Sequence, residues 1–338
     1  MKPLRILALM HPELVPVADR ASLTPQEASE SKTEYDVVST LRAAGHEVNP
    51  LGVQYELFPI RDAIDEGKPH IVFNLLEEFH GESLFDQNVV SFLELMRIPY
   101  TGCNPRGMIL SRGKALSKKL VAYHRIRVPD FAVFPIGHKV RRPARLRFPL
   151  IVKSLIEHAS VGIARASVVD SDEKLAERVA FVHERLATDA IAEQFIEGRE
   201  LYVSVVGNDR LAVFPVWELV ARKRPEGEPL IATAKVKHDV EYQERHGIDT
   251  GPARLPDDVA ARMAQVAKRI YKILELTGYA RLDFRLDDAG RFYFLEANPN
   301  PEIAKTEEFA AAAKAAGVSY TELLERIVKL GLQKRPAT

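Results

Sequence analysis

Residues 279–300 read YARLDFRLDDAGRFYFLEANPN, and the prediction of the fold starts from this stretch. Apolar and polar residues alternate on both sides of residues 287–290, Asp-Asp-Ala-Gly, which form a turn-type cluster. This is the pattern of a β-hairpin. If these residues are the loop, Asp283 lies opposite Phe294 and Arg281 lies opposite Glu296. Because side chains alternate along a strand, one face of the hairpin carries Arg281, Asp283, Glu296 and Asn298.

Two interpretations of this polar face are open. Opposed side chains in a strand pair lie roughly 5 Å apart, so Arg281 and Glu296 can form an ordinary ion pair of small energetic value. Alternatively, the oxygens of Asp283, Glu296 and Asn298 are the sparse set of hard ligands with which magnesium also keeps waters and substrate phosphates. The other face carries core residues, namely Ala280, Leu282, Phe284, Tyr293, Leu295 and Ala297. Such a packed face gives a metal site rigid support.

The composition excludes several classes of protein. The chain has 338 residues, with 47 Lys+Arg against 47 Asp+Glu, and this balance argues against nucleic acid as a partner. A single cysteine, Cys103, excludes an internal disulfide framework and indicates a reducing compartment. The apolar run near the N-terminus is too short for a signal peptide, and no run is long enough to span a membrane. We therefore expect a cytoplasmic protein of mixed α/β structure.

The order of periodic segments predicts three units. Strands alternate with amphipathic helices over residues 1–102, which is the pattern of a doubly wound parallel sheet. Residues 103–193 form a second, smaller α+β lobe, and residues 194–338 form a third unit that contains the hairpin.

Several further residues suit nucleotide chemistry. Lys153 ends the apolar strand Leu150–Ser154, where a lysine facing a cleft can bind a phosphate, and Lys114 is a second such cation. The small residues of EHASVGI, 157–163, could wrap phosphates through backbone N–H groups. Each lysine taken singly also fits a solvated surface position, and the loop also fits a plain turn. His80 follows an apolar strand, near the edge where open α/β sheets bind ligands.

The order of these motifs resembles the ATP-grasp superfamily and, within it, the D-alanine–D-alanine ligase family. The resemblance covers nearly the whole chain and is carried by LELMRIPYTG (93–102), FPLIVKSLIEHASVGI (148–163), EQFIEGRE (193–200), RLDF (281–284) and LEANPNP (295–301). It implies a three-lobed ATP-grasp fold with an N-terminal doubly wound parallel-sheet domain over 1–102, a central lobe over 103–193 and a C-terminal lobe over 194–338.

The resemblance also implies roles for individual residues. The ATP phosphates would be bound by Lys114, Lys153 and Ser160, with Lys235 near the γ-phosphate. Residues Glu193, Gln194, Phe195 and Ile196 would be the adenine-binding linker, and Glu200 would bind the ribose. Magnesium, with Mn²⁺ as an alternative ion, would be held by Asp283, Glu296 and Asn298. Arg281 would stabilise the tetrahedral intermediate, and His80 would orient the carboxylate substrate.

The reaction implied is the ATP-dependent joining of a carboxylate to an amine through an acyl phosphate, with release of ADP and phosphate. The partners are then small amino-acid or carboxylate and amine substrates, without nucleic acid or membrane, and family analogy adds a homodimer. The loops at 157–163 and Lys235 would close over the site, because an acyl phosphate must be kept from water.

The chain departs from the family on the amino-acid side. Ala159 and Val236 replace a loop serine and an aromatic residue, and Pro301 is followed by charged residues where the family has Gly-Met-Thr. We therefore expect a product other than D-alanyl-D-alanine. Lys305, together with Arg281, could receive a substrate carboxylate. Alternatively, a substrate amine could be received by Glu302, Glu307 and Glu308.

Two other functions stay open at this point. An ATP-grasp phosphotransferase would pass the γ-phosphate to a hydroxyl and leave ADP without an amide. A nucleotide-binding module without catalysis is disfavoured, because a decayed site should have lost some of the predicted ATP and metal residues, which are all present.

Overall fold

The computed structural model of the chain describes residues 2–17, 23–156, 162–223, 231, 236 and 240–334. Two predicted site residues, Ser160 and Lys235, lie outside the described residues, as does most of the 157–163 loop. Within the described ranges, no helix is long and apolar enough to cross a membrane.

The N-terminal unit is built on a parallel sheet of β1 (Arg5–Met10), β2 (Glu47–Gly52) and β3 (Ile71–Asn74), in the order β2-β1-β3. Successive residues of β1 alternate between two cores, with Leu7 and Leu9 in one and Ile6 and Ala8 in the other. The helices are α1 (Pro25–Glu30), α2 (Lys32–Ala43), α3 (Phe58–Gly67) and α4 (Asp86–Leu95). Because α2 packs in one core and α3 and α4 pack in the other, both faces of the sheet are covered. The predicted doubly wound parallel sheet is confirmed.

The middle of the chain forms an antiparallel sheet with its own small core. Two helices, α5 (Pro105–Arg112) and α6 (Lys114–Tyr123), precede the strands β4 (Phe131–Phe134), β5 (Leu150–Ser154), β6 (Val168–Val169) and β7 (Ala190–Gln194), with α7 (Asp172–Leu186) before β7. The strand order is β4-β7-β5-β6. Leu150, Val152 and Val179 belong to a core whose members all come from residues 132–192. The predicted strand at Leu150–Ser154 is confirmed.

The C-terminal unit is a larger antiparallel sheet. Its strands are β8 (Arg199–Val206), β9 (Ala212–Val213), β10 (Trp217–Ala221), β11 (Ile248–Pro252), β12 (Tyr279–Leu286) and β13 (Phe292–Pro299), in the order β11-β10-β8-β12-β13, with β9 beside β8. Its helices are α8 (Val240–His246), α9 (Asp257–Ile273), α10 (Glu308–Ala315) and α11 (Tyr320–Leu332). The last helix begins with a capping box of Ser319 and Glu322.

The hairpin of β12 and β13 exists, but the predicted pairing is wrong. Arg281 lies opposite Asn298 instead of Glu296, and Asp283 lies opposite Glu296 instead of Phe294. The predicted register is therefore wrong by two residues. The first comes from the loop, which has five residues instead of four because Leu286 pairs with Phe292. The second comes from a β-bulge after Asp283. A slip of one residue reverses the faces of a strand, and two slips restore them.

The polar face therefore keeps its four predicted residues, while the core face changes on β13. Phe294 is fully buried there and packs edge-on against Phe284. Tyr293 and Leu295, which the uninterrupted alternation assigns to the core, are half-buried. The bulge accounts for this exchange, because it inserts one residue between Phe294 and Glu296.

Candidate active site

The polar face of the hairpin is held together by Asp283. Its Oδ1 accepts a hydrogen bond of 2.9 Å from Nε of Arg281, and its Oδ2 accepts 3.1 Å bonds from Nη2 of Arg281 and from Nδ2 of Asn298. Glu296 lies directly across the strand pair from Asp283. The structure thus brings together the four residues that the alternation of the sequence predicts.

Arg281 is the cation of this face and is tightly enclosed. Its guanidinium lies over the ring of Tyr202 at 4.8 Å, and its Nη1 is 3.7 Å from Oε2 of Glu308. Burial alone would lower the pKa of Arg281, but the carboxylates of Asp283 and Glu308 outweigh burial and raise that pKa well above its usual value. Arg281 is therefore a fixed positive charge, suited to stabilising an oxyanion.

The oxygens of the hairpin face fit a magnesium ion. Asp283 is only 3% exposed and stands on paired strands, so its position is rigid. A carboxylate oxygen that accepts one hydrogen bond still has a lone pair for a metal. Among the described residues no group of three or more His, Cys, Asp or Glu side chains could hold a metal, so a full protein cage is not present there. Two carboxylates and one carboxamide suit an ion that keeps waters and phosphate oxygens.

A group of lysines lies beside the hairpin. Nζ of Lys114 is 3.9 Å from Oε2 of Glu296, and the buried carboxylate of Glu193 lies 3.3 Å from Nζ of Lys153 and 2.8 Å from Nζ of Lys118. Sequence reasoning missed Lys118, which is fully buried and also donates to the carbonyl of Leu295. Its signal was the spacing of four residues from Lys114, which places both lysines on one face of α6.

The surroundings of these lysines shift their pKa values. Burial lowers the pKa of Lys114 to about 8, although the carboxylate of Glu296 opposes this change. Burial also disfavours the charged form of Lys153, but Glu193 and Glu296 outweigh it and raise the pKa of Lys153. The two lysines beside Glu193 hold the pKa of that carboxyl below its ordinary value against the effect of burial. A cluster of buried cations of this kind suits a polyphosphate ligand.

The predicted adenine linker runs along the end of β7. The backbone N–H of Gln194 donates to the carbonyl of Asp130 at 2.7 Å, and that of Phe195 donates to the carbonyl of Pro149 at 2.9 Å. Phe195 and Ile196 are buried. The segment is thus anchored between strands, while the side chain of Glu193 turns into the lysine group.

Glu200, the predicted ribose ligand, is buried in an ion pair. Its Oε2 lies 2.8 Å from Nη2 of Arg285, and its Oε1 accepts a 3.1 Å hydrogen bond from the hydroxyl of Tyr202. Arg285 and Glu200 meet because β12 and β8 pair with these two residues opposite each other. Sequence reasoning missed Arg285 and Tyr202, since a pairing between strands so far apart in the chain leaves no local signal.

His80 lies in the N-terminal unit, after β3. Its backbone N–H donates to the carbonyl of Gln54 at 2.8 Å, and its ring packs edge-on against Tyr55 and Phe79, at 5.2 Å from each. It borders an open cavity of about 410 Å³ whose wall also includes Phe58 and Phe92.

The charged segment 302–308 follows the hairpin. Nζ of Lys305 is 3.5 Å from Oδ1 of Asp36 on α2 and lies over the ring of Tyr320, so this cation is directed to the N-terminal unit and not to Arg281. Glu307 forms an ion pair with Lys32, and Glu308 is the residue beside Arg281. Of the two predicted uses of this segment, the geometry favours binding an amine over binding a carboxylate.

The chain resembles known proteins over most of its length. Residues 120–329 match the family model described as the D-ala D-ala ligase C-terminus. A D-alanine–D-alanine ligase of Bordetella petrii is 38% identical over 256 residues, which cover 74% of this chain and 73% of that protein. An uncharacterised protein of Sinorhizobium fredii is 30% identical over 310 residues, covering 90% and 88% of the two chains.

Solved structures show the same fold. The D-alanine–D-alanine ligase of Bacillus anthracis complexed with ATP superposes with a TM-score of 0.74 at 22% identity, covering 98% of each chain. A D-Ala:D-Ser ligase of Enterococcus faecalis gives a TM-score of 0.72 at 20% identity, covering 98% of this chain and all of that one.

Proposed function

Because the chain belongs to the D-alanine–D-alanine ligase family, which has the ATP-grasp fold, we propose that it is an ATP-dependent ligase. It joins a carboxylate to an amine through an acyl phosphate and releases ADP and phosphate. The observation that carries this proposal is the contact between Lys114 and Glu296, 3.9 Å apart. This contact places the cations that suit phosphates beside the carboxylates that suit magnesium. Phosphoryl transfer needs both groups.

The nucleotide is assigned to the central sheet and the lysine group. We assign the ATP phosphates to Lys114 and Lys153, together with Ser160 and Lys235 by resemblance. The linker of residues 193–196 takes the adenine, and Glu200 takes the ribose. Asp283, Glu296 and Asn298 would hold magnesium, which when bound neutralises phosphate charge.

The reaction has two chemical steps. An oxygen of the substrate carboxylate attacks the γ-phosphorus of ATP, and ADP leaves. The substrate amine then attacks the acyl carbon, loses a proton, and displaces phosphate to leave the amide. Arg281 lies at the hairpin face with its charge fixed, and we propose that it stabilises the oxyanion of the second step. The role of His80 in orienting the carboxylate rests on the resemblance alone.

We propose that the substrates are not two D-alanines. The support is the charged segment that follows the hairpin, in which the carboxylate of Glu308 lies 3.7 Å from Arg281. The relatives named above include a D-Ala–D-Ala ligase and a D-Ala:D-Ser ligase, so proteins of this fold already differ in the amino acids that they join.

ADP release by the purified protein with ATP and magnesium tests the proposal, across a matrix of paired D- and L-amino acids, small acids and amines. A rise that depends on the pair, with a product heavier by one condensation, establishes the ligase and names its substrates. A phosphorylated product without an amide would instead establish the phosphotransferase. Removal of magnesium with a chelator should stop ADP release.

We also propose a cytoplasmic location and a homodimer. The first is supported by the single buried cysteine, which points to a reducing compartment. The second comes from family analogy, and light scattering of the purified protein in solution tests it.

A further inference from the structure

Five glutamates form a cluster that begins beside Arg281. This cluster, which we call the acidic group, consists of Glu34 on α2, Glu77 after β3, and Glu302, Glu307 and Glu308 after β13. The group begins at the hairpin face, where Oε2 of Glu308 is 3.7 Å from Nη1 of Arg281. It extends through Glu302 and Glu307 to Glu77 and Glu34, whose charges act on one another. The group thus joins the proposed reaction centre to the N-terminal unit.

Glu34 shows that this cluster is not simply a solvated surface. Glu34 is only 5% exposed, and its Oε2 has no hydrogen-bond partner in the part of the chain that the structure describes. Burial, followed by the charges of Glu77 and Glu302, raises the pKa of Glu34 to about 7. A buried polar atom without a partner is costly and is normally satisfied by a bound group or water.

Two members of the acidic group already have a cation beside them, because Glu307 pairs with Lys32 and Glu308 lies 3.7 Å from Arg281. The ion pairs of the described residues include none at Glu34, Glu77 or Glu302, so these three carboxylates carry the charge that is left for a ligand. Glu77 and Glu302 are open to solvent, so a ligand can reach them. The acidic group therefore attracts a positive ligand and repels a carboxylate, including that of an amino acid.

We propose that the acidic group binds a cationic group of the amine substrate, and that this substrate is a diamine without a carboxylate next to the reacting amine. One amine then lies near Arg281, where the acyl group is attacked. The other is held as an ammonium by Glu34, Glu77 and Glu302. The reacting amine is assigned on the basis of the proposed function. The binding of the ammonium group depends only on the carboxylates.

Calorimetric titration tests the inference directly. The probes are 1,4-diaminobutane, butylamine and D-alanine, each added to the full-length protein with magnesium and a non-hydrolysable ATP analogue. We expect 1,4-diaminobutane to bind most tightly. Glu34→Gln and Glu302→Gln should each weaken it at least about tenfold, because each removes a charge-assisted hydrogen bond. Glu66→Gln, an exposed glutamate on α3, is the matched control and should bind like the unchanged protein.

The outcomes separate the two proposals. Absence of 1,4-diaminobutane binding at millimolar concentration overturns the inference, as does D-alanine binding of equal strength or unchanged binding in both variants. Binding of the ATP analogue is measured first in every variant, and its absence from the unchanged protein counts against the ligase and not against the amine site. Melting curves verify that Glu34→Gln and Glu302→Gln are both folded.

Discussion

Asp283 and its neighbours make the most specific test at the scale of single residues. We expect Glu296→Gln and Asn298→Ala to abolish ATP turnover, because each removes an oxygen proposed to bind magnesium, while the melting temperature stays close to that of the unchanged protein. ADP release and thermal melting measure the two properties. Asp288→Asn, an exposed carboxylate in the loop of the same hairpin, is the control and should retain full turnover. Retained turnover in Glu296→Gln would contradict the assignment of Glu296 as a magnesium ligand.

The residues of this face were accessible to sequence reasoning, whereas several of their neighbours were not. Arg281, Asp283, Glu296 and Asn298 follow from alternation within one hairpin, which is a local property. Tyr202, which packs under Arg281, comes from β8, and its pairing with β12 closes a loop of about eighty residues. Nothing in the local sequence encodes such a register.

Glu34 gives a prediction about pH. Its pKa is about 7 in the folded protein, while in the unfolded chain it has its ordinary value of 4.5, so the folded state binds the extra proton between these values. The stability that Glu34 contributes is therefore present below about pH 4.5 and is lost as the pH rises through 7, by roughly 3 kcal/mol.

Urea unfolding of the unchanged protein and of Glu34→Gln measures this effect. The free energy of unfolding of the variant, minus that of the unchanged protein, should grow between pH 4.5 and 7 and then level off. Glu66→Gln should follow the unchanged protein at every pH. A difference that does not vary with pH would show that Glu34 keeps an ordinary pKa.

At the scale of elements, α5 contains two arginines that form ion pairs in different surroundings. Arg112 pairs with Asp86 in the interior, with side chains 11% and 6% exposed. Arg106 pairs with Glu275 at the surface, with side chains 76% and 44% exposed. We expect Arg112→Leu to cost about 3 kcal/mol of unfolding free energy, because it leaves a buried carboxylate without its cation. Arg106→Leu should cost less than about 1 kcal/mol.

Urea denaturation of both variants measures the two costs on the same helix, so helix propensity cancels to first order. Equal losses would contradict the difference in burial. Burial raises the pKa of Asp86 to about 6 against the effect of Arg112, and the cost of Arg112→Leu should therefore be larger at pH 8 than at pH 5, where the carboxyl takes up a proton.

Element boundaries were predictable where a local signal marked them. Leu150–Ser154 is a strand as expected, since an apolar run ends there at a lysine. Pro105–Arg112 and Lys114–Tyr123 are two helices that meet at Gly113. Asn104 followed by Pro105 marks the start of the first, where the asparagine side chain accepts a hydrogen bond from the N–H of Gly107. The bulge after Asp283 had no such signal.

At the scale of the whole molecule, the hydrophobic cores do not correspond one to one to the three predicted units. Leu7 of β1 and Leu282 of β12 belong to the same core cluster, and Ile6 and Tyr279 share another. The third core contains only residues of the middle of the chain. The division at 102 and 193 stays a prediction, and the distribution of these cores makes it testable.

We expect the N-terminal and C-terminal sheets to open together and the middle sheet to open separately. Native-state hydrogen exchange should give β1 and β12 the same opening free energy within about 1 kcal/mol, because they share two cores. The amides of β5 and β7 should open at a lower free energy, since their small core is separate. A saturating ATP analogue with magnesium should raise the opening free energy of β5, which carries Lys153, by RT ln(1 + L/Kd) for the analogue at free concentration L. If β1 instead opened well below β12, residues 1–102 would be an independent domain despite the shared cores.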